Sequence, residues 1–518
     1  MTTSKPLPAT KNPKKWRFTY ESNSHVPILR LYIFNPYINP SSQCVNLNAT
    51  ILFDKSLLKV KWLANNHDAD DDNQLASIYV PIPRVLIDVD SPINLRAFDD
   101  HIEVKFVLVL PVDHPIVYNF DFDSGQDVVA SQNDEFQPLQ LDSDVKKLAS
   151  CGEVFFYCRG CSTKLTRPVR FFREMPSVNW REAADNWFGT CCCSFGGVSE
   201  KLVAKYANLY TCSSDVCLLD ATSVVLCKDD LIGYKFPDQV DKQENKSLGL
   251  SKLKISSEVV AKNLSTDALS VDHSSQHECC HVHVDEEQTH STDELPVNKA
   301  SLLNGLLGNS FMVTSSYLSK DVIWSEISCP HCSCLLGAYP RDNIVGTSNG
   351  SPLNDSVHLF KCFVSTCLPV GGPTDLFRKY TLERMFTRQL LESAEDELSF
   401  RTVVRNLHTR SPMLQIVLLN PNSWCSFGDC MDEMVPNPNI IMYPMIKVLF
   451  SDCSNQTESQ LRKLDEWVAK NQVGDIYMLM SKGLTESLKL ANSMLPPSHA
   501  CLQDLSLSFL RRFINGDE

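Results

Sequence analysis

Two short cysteine hooks carry the clearest chemistry in this 518-residue chain. The first is Cys158-Arg159-Gly160-Cys161; the second is Cys329-Pro330-His331-Cys332, with Cys334 close behind. Each sets two thiols on either side of a two-residue gap, the reach needed to grip one tetrahedral zinc ion from a tight turn. Gly160 lets the first turn bend back, and Pro330 fixes φ in the second. Neither hook fills four coordination positions alone. The economical reading is one structural zinc held jointly by Cys158, Cys161, Cys329 and Cys332. Closing the intervening loop of roughly 170 residues costs only about 4–5 kcal/mol, because the penalty grows logarithmically with length. Structural zinc supplies on the order of 10–16 kcal/mol, more than enough to offset it. The bland alternative is four buried free thiols, since Cys is among the most buried residue types. Repetition of the hook favours metal. A metallohydrolase is a poor reading, because four thiolates leave no open position for water.

A second cluster is less determined. Cys191-Cys192-Cys193 lies between the hooks, and His277-Glu278-Cys279-Cys280-His281-Val282-His283 sits inside a polar stretch, residues 238–300, that reads as a flexible insertion. A Cys/His cluster in a linker has no packing role, so a second zinc site is an open option. It would draw on Cys191 or Cys193 with Cys280 and His281 or His283, in any of several permutations. The acidic run His67-Asp68-Ala69-Asp70-Asp71-Asp72 lacks the spacing and closing Glu of an EF-hand loop and reads as a solvated loop. Trp180 and Trp187, on a helix that Ser177 can cap, read as core rather than as a ligand platform.

The elements that must position these residues give an α+β fold: a β-rich N-terminal domain, a zinc-stapled middle and an α/β C-terminal lobe. Residues 1–14 read as a disordered tail. Residues 15–145 hold six or so short strands, from WRFTYES to HIEVKFVLVL, split by Pro, Asn and Asp turns, which suggests an antiparallel sandwich or open barrel. The hook regions follow at 146–237 and 301–372, with a strand-like run from Leu148 to Tyr157 leading into the first hook. The lobe at 373–518 alternates: a helix in DLFRKYTLERMFTRQLLESAEDEL, strand MLQIVLLN, a loop, strand IIMYPMIKVLF, a helix from Glu458 to Lys470, strand DIYMLM and helix GLTESLKLANSM.

Composition bounds the functions. With 43% hydrophobic and 21% charged residues the chain can bury large cores, and a net charge of −14 argues against a surface that coats nucleic acid. The polar, basic stretch MTTSKPLPATKNPKK does not read as a signal peptide, and no apolar run approaches the ~20 residues of a membrane span. Twenty-one cysteines without a secretory signal are expected to be reduced, in cytoplasm or nucleus, where clusters mean metal or catalysis.

The first hook, the block PSVNWREAADNWF, the CPHC hook running on to Leu336-Gly337, and the closing LPPSHACLQDLSLSFLRRF together resemble one family. It is the HECT-like family of proteins that bind a ubiquitin-conjugating enzyme and are described as ubiquitin ligases. The likeness spans roughly residues 20–518. It implies a protein that docks a charged conjugating enzyme and promotes ubiquitin transfer to a protein substrate, with no direct nucleic-acid or membrane role. Members are also linked to the pre-mRNA 3′-end cleavage machinery, so a zinc-organised adaptor that stabilises a partner complex is the alternative. Locally, Leu495-Pro496-Pro497-Ser498-His499-Ala500-Cys501-Leu502 is similar to the loop carrying the thioester cysteine of true HECT ligases. That resemblance places Cys501 at the nucleophile, with His499 as an assisting imidazole. Ser508 stands where those ligases carry a proline, and their helical enzyme-binding lobe has no counterpart here.

Overall fold

The computed structural model describes residues 15–64, 74–119, 141–175, 212–234, 236, 311–314, 322–342, 355–434 and 439–512. The acidic run, the Trp180/Trp187 segment and the 238–300 insertion lie outside them. The fold is α+β. Among the described residues no helix is long and apolar enough to cross a membrane.

Alternation builds the first layer. Strand Arg17–Asn23 turns Phe18 and Tyr20 into a core shared with Leu29 and Leu31 of strand Ile28–Phe34 and with Val104 and Phe106 of strand Ile102–Val107. A separate antiparallel sheet of Cys44–Leu52, Leu57–Ala64 and Gln74–Pro81 supplies Leu58, Val60, Trp62, Ile78 and Val80 to the same core. Two sheets enclosing one core is the sandwich arrangement, and the Trp16 and Trp62 rings meet edge-on inside it, 5.3 Å apart.

The N-terminal strands do not stop at this core. Arg17–Asn23 pairs along its length with the second half of strand Pro412–Asp429, from Arg17 opposite Asp429 to Asn23 opposite Ser423. The first half of that strand pairs with Arg401–Asn406, and its other edge carries Tyr443–Asp452. Both ends of the chain therefore share one eleven-stranded sheet, completed by Gly474–Met478, Val313–Thr314, Asn94–Ala97, Cys501–Leu502 and Leu505–Arg511. The sequence predicted a loop after MLQIVLLN; instead the strand runs on for 18 residues. Register shifts between Leu418 and Asn420, and between Asn420 and Ser423, absorb the residues around Pro421, which has no N–H to donate.

The middle of the chain forms a six-stranded sheet in the order Val322–Ser328, Leu335–Asp342, Ser356–Phe360, Ser223–Cys227, Val216–Leu219 and Phe171–Glu174. Its core strands Ser223–Cys227 and Ser356–Phe360 are buried at every position. The strand-like run expected from Leu148 instead starts as the end of a helix, Leu141–Ser150; a single bridge at Val154 opposite Val169 follows, and the first strand is Tyr157–Cys158. Helical spacing puts Asp144 and Leu148 on one inward face, both buried. Asp144 there accepts from the Lys379 ammonium at 2.7 Å and from the Tyr380 hydroxyl. Replacing Asp144 with Ala would leave the buried Lys379 cation uncompensated. We expect a loss of about 3–5 kcal/mol, read as a large fall in the thermal midpoint. A fall no greater than that of an exposed Asp→Ala control would show that the pair is idle.

His358 gives the middle sheet an acid sensitivity. Its ring is fully buried, 4.8 Å from that of Trp324, and neither ring nitrogen has a hydrogen-bond partner among the described residues. Burial lowers its pKa to about 4, against the opposing pull of Asp220. The unfolded chain then takes up this proton first as pH falls. The stability of the neutral ring is complete above about pH 6.5 and is lost progressively from there toward about pH 4, a total of roughly 3 kcal/mol. Urea unfolding at pH 7.5 and pH 5 should show a steeper acid loss in wild type than in His358→Leu. Equal losses would remove His358 from the account.

The C-terminal helices begin where their caps stand. Thr381 Oγ1 accepts from the Arg384 N–H at 3.2 Å and starts helix Leu382–Glu397, later than the expected segment because residues 375–380 are spent on turns. Gln460 Oε1 accepts from the Thr457 N–H at 2.8 Å and caps helix Glu458–Lys470, at the bounds its sequence predicted. Helix Lys482–Asn492 buries Leu484, Leu488 and Ala491, and its Leu488 carbonyl accepts from Ser508 Oγ on strand Leu505–Arg511.

Candidate metal centre and the Cys501 loop

The two hooks meet. One sulfur from each of Cys158, Cys161, Cys329 and Cys332 lies within 4.8 Å of the others. Contacts cross between hooks: Cys158 Sγ is 3.6 Å from Cys332 Sγ, and Cys161 Sγ is 3.6 Å from Cys329 Sγ. Sulfurs placed tetrahedrally about 2.3 Å from one zinc ion would sit roughly 3.8 Å apart, close to these spacings. They are far too distant for disulfides, which need about 2.05 Å. The four thiols can therefore hold a metal ion, and an all-sulfur donor set suits zinc.

The hooks are built alike. In the first, the Ser162 N–H donates to the Cys158 carbonyl at 2.8 Å, and the Cys158 N–H donates to the Thr163 carbonyl at 2.8 Å. In the second, Ser333 N–H reaches the Cys329 carbonyl at 2.9 Å and Cys329 N–H the Cys334 carbonyl at 2.8 Å. The left-handed residue of each turn is the serine after the second cysteine, Ser162 at φ 62° and Ser333 at φ 58°. Gly160, expected to bend the turn, is needed for room instead. A Cβ there would stand 3.3 Å from Cys334 Sγ, 3.6 Å from Cys332 Sγ and 3.7 Å from Cys158 Sγ.

Electrostatics separate the four thiols. Burial pushes Cys158 and Cys329 upward. Burial also raises Cys161, but hydrogen bonds with Thr163 and with the Cys332 and Cys329 thiols together outweigh it and bring that thiol down to about 6. The Tyr234 hydroxyl is buried without a partner among the described residues, and its pKa is raised by burial and then by the charge of all four cysteines. An unpaired phenol facing a sulfur cluster is a donor ready for thiolates, as a metal-loaded site would present. The sequence carried no local signal for it. Arg159, inside the first hook, ties the site to the next layer. Its guanidinium donates to the carbonyls of Phe377, Tyr380 and Val364 at 2.7, 3.0 and 3.1 Å, just before helix Leu382–Glu397. Cys191, Cys193, Cys280 and His281, the candidates for a second centre, lie outside the described residues.

Cys501 belongs to the other sheet. Helix Lys482–Asn492 is followed by buried Leu495 and Pro496, one turn of 3₁₀ helix spans Pro497–His499, and Cys501–Leu502 folds back on Leu505–Ser506 as a tight hairpin with Gln503 at φ 56°. The Cys501 thiol is exposed, and Leu502 beside it is 55% exposed. The base of this loop is held from both ends of the chain. Asn492 Nδ2 donates to the Ala500 and Leu507 carbonyls at 2.6 and 2.8 Å. Asp100 accepts from the Ser498 N–H at 2.6 Å and from its hydroxyl at 3.0 Å, while Thr19 and Arg17 donate to the Met494 and Ser493 carbonyls. His499 packs its ring 4.6 Å from Tyr32 and 4.9 Å from His101. Burial and then the neighbouring His101 lower its pKa, so the ring is neutral at physiological pH.

A two-hook thiol cluster in an α+β body, together with a separate exposed cysteine loop near residue 501, defines a class of protein rather than an activity. The family profile described as HECT-like Ubiquitin-conjugating enzyme (E2)-binding matches residues 54–270 and 275–507. The chain belongs to that family, which places it in the ubiquitin pathway as a binder of conjugating enzymes. Comparisons with curated proteins and with solved structures returned no match.

Proposed function

We propose that the chain is a ubiquitin-protein ligase of the cytoplasm or nucleus. It docks a ubiquitin-charged conjugating enzyme, accepts ubiquitin on Cys501 and passes it to a protein substrate, while one structural zinc on Cys158, Cys161, Cys329 and Cys332 staples the fold. The observation that carries this reading is the exposed Cys501 thiol on a hairpin pinned at its base and separate from the thiol cluster. In the transfer the Cys501 thiolate attacks the donor thioester carbonyl, and the conjugating enzyme's cysteine leaves as a thiolate. One thioester replaces another, so no strong general base is required. The test is to mix the full chain with a charged conjugating enzyme and run it with and without reducing agent. A ubiquitin adduct that thiol reductant removes is the expected result.

The non-catalytic adaptor is a second reading, favoured by one observation. The His499 ring, the expected helper of Cys501, is packed against Tyr32 and His101. In that reading the loop seats the C-terminal strand, with Leu507 and Phe509 buried beneath it. The chain would then bind a conjugating enzyme or a 3′-end processing factor without forming an adduct.

A further inference from the structure

We propose that Cys334 is an interchangeable metal ligand, able to take the coordination position of Cys332. The second hook would then offer three thiols for two positions. The inference rests on the metal reading above.

Two independent observations carry it. The matching hydrogen bonds of the two turns make Cys334 the counterpart of Thr163. In the first turn that position delivers a hydroxyl to within 3.2 Å of Cys161 Sγ, a ligand sulfur. In the second turn the same position delivers a thiol. Separately, the space over Gly160 is ringed by the sulfurs of Cys334, Cys332 and Cys158, at 3.3, 3.6 and 3.7 Å from the point a Cβ would occupy. Only a residue without a side chain leaves this space open between Cys334 and the cluster.

Exposure and hook together say which position exchanges. Cys158 and Cys329 are buried and Cys161 and Cys332 are half-buried, and of these two only Cys332 shares its hook with the exposed Cys334. As arranged here Cys334 lies outside the compact group of four, so exchange requires its side chain to swing inward as Cys332 swings out. The Zn–S bond to Cys332 breaks, one to Cys334 forms, and the proton lost by the Cys334 thiol passes to the Cys332 thiolate. Charge and ligand number are unchanged, and nothing is oxidised. The centre keeps its metal when Cys332 is alkylated or otherwise blocked.

The experiment loads the full chain with Co²⁺, whose thiolate charge-transfer band grows with each sulfur bound. Cys332→Ser should keep the wild-type band. Cys161→Ser, which has a hydroxyl and no thiol beside it, should lose one thiolate's share and bind at least about tenfold more weakly. The double variant Cys332→Ser with Cys334→Ser should fall to the Cys161→Ser level. A Cys332→Ser variant already at that level, with no further loss in the double, would overturn the proposal. Alkylation mapped by mass spectrometry on the zinc-loaded chain gives a second readout. Cys334 should react in wild type and be protected in Cys332→Ser; equal reactivity in both would count against exchange. A wild-type chain that binds no cobalt would overturn the metal reading and this inference together.

Discussion

Serine at Cys158 and serine at Cys329 are expected to cause the same large loss of stability, although the two positions are distant in sequence. Either change removes one of four sulfurs from a single site, and a structural zinc site contributes on the order of 10–16 kcal/mol when intact. Even if three sulfurs retained some metal, losing the staple across roughly 170 residues forfeits about 4–5 kcal/mol of closure, a large share of ordinary domain stability. Both positions are buried, at 0% and 2% exposure, so the serine hydroxyl adds a desolvation cost. Cys362→Ser is the control. That thiol is also buried, at 6% exposure, but outside the cluster, and its change should cost only about 1–3 kcal/mol with zinc content unaltered. Zinc per chain and thermal unfolding, measured on protein purified without chelators, decide the matter. Metal-free wild type, or hook variants no worse than the Cys362 control, would end the zinc account.

That the hooks meet was legible because the signal is local: two thiols two residues apart mean the same thing wherever the chain places them. The strands of residues 17–107 were legible for a related reason, since period-2 alternation is written within each strand. What sequence could not show is who pairs with whom. Arg17–Asn23 lies against Ser423–Asp429, a choice of register between distant segments that no short-range pattern encodes. The boundary drawn between a β domain at 15–145 and a lobe at 373–518 falls across that shared sheet. The 18-residue strand reads in the sequence as MLQIVLLN followed by a loop because Asn420, Pro421 and Asn422 carry turn chemistry, which the sheet overrides by bulging. Leu148–Tyr157 carries a strand-like pattern in the sequence, although Asp144 and Leu148 already share a helical face. At the Cys501 loop, Asp100 and Tyr32 were invisible for the same reason as the sheet pairing. Their contacts to Ser498 and His499 bridge about 400 and about 470 positions, so no spacing rule could find them.

Cys501→Ala is expected to abolish a reducible ubiquitin adduct while leaving fold and zinc content intact. The fold should survive because the thiol is exposed and belongs to a two-residue strand whose pairing with Ser506 uses backbone alone. The base of the loop, held by Asn492, Asp100, Thr19 and Arg17, does not involve the sulfur. Cys501→Ser should trap a more stable oxyester, because an alkoxide is a poorer leaving group than a thiolate. His499→Ala sorts the two readings of its imidazole. With the ring packed on Tyr32 and His101 and its pKa lowered by burial, its loss should loosen the loop and weaken transfer at every pH rather than remove one limb of a pH profile. Asp100→Asn, which weakens the same anchor from the other side, should then mimic it. Retention of full ligase activity in Cys501→Ala, with no adduct in wild type, would leave the adaptor reading. Loss of adduct in Cys501→Ala with His499→Ala altering only the pH profile would instead return the imidazole to proton transfer at the thiol.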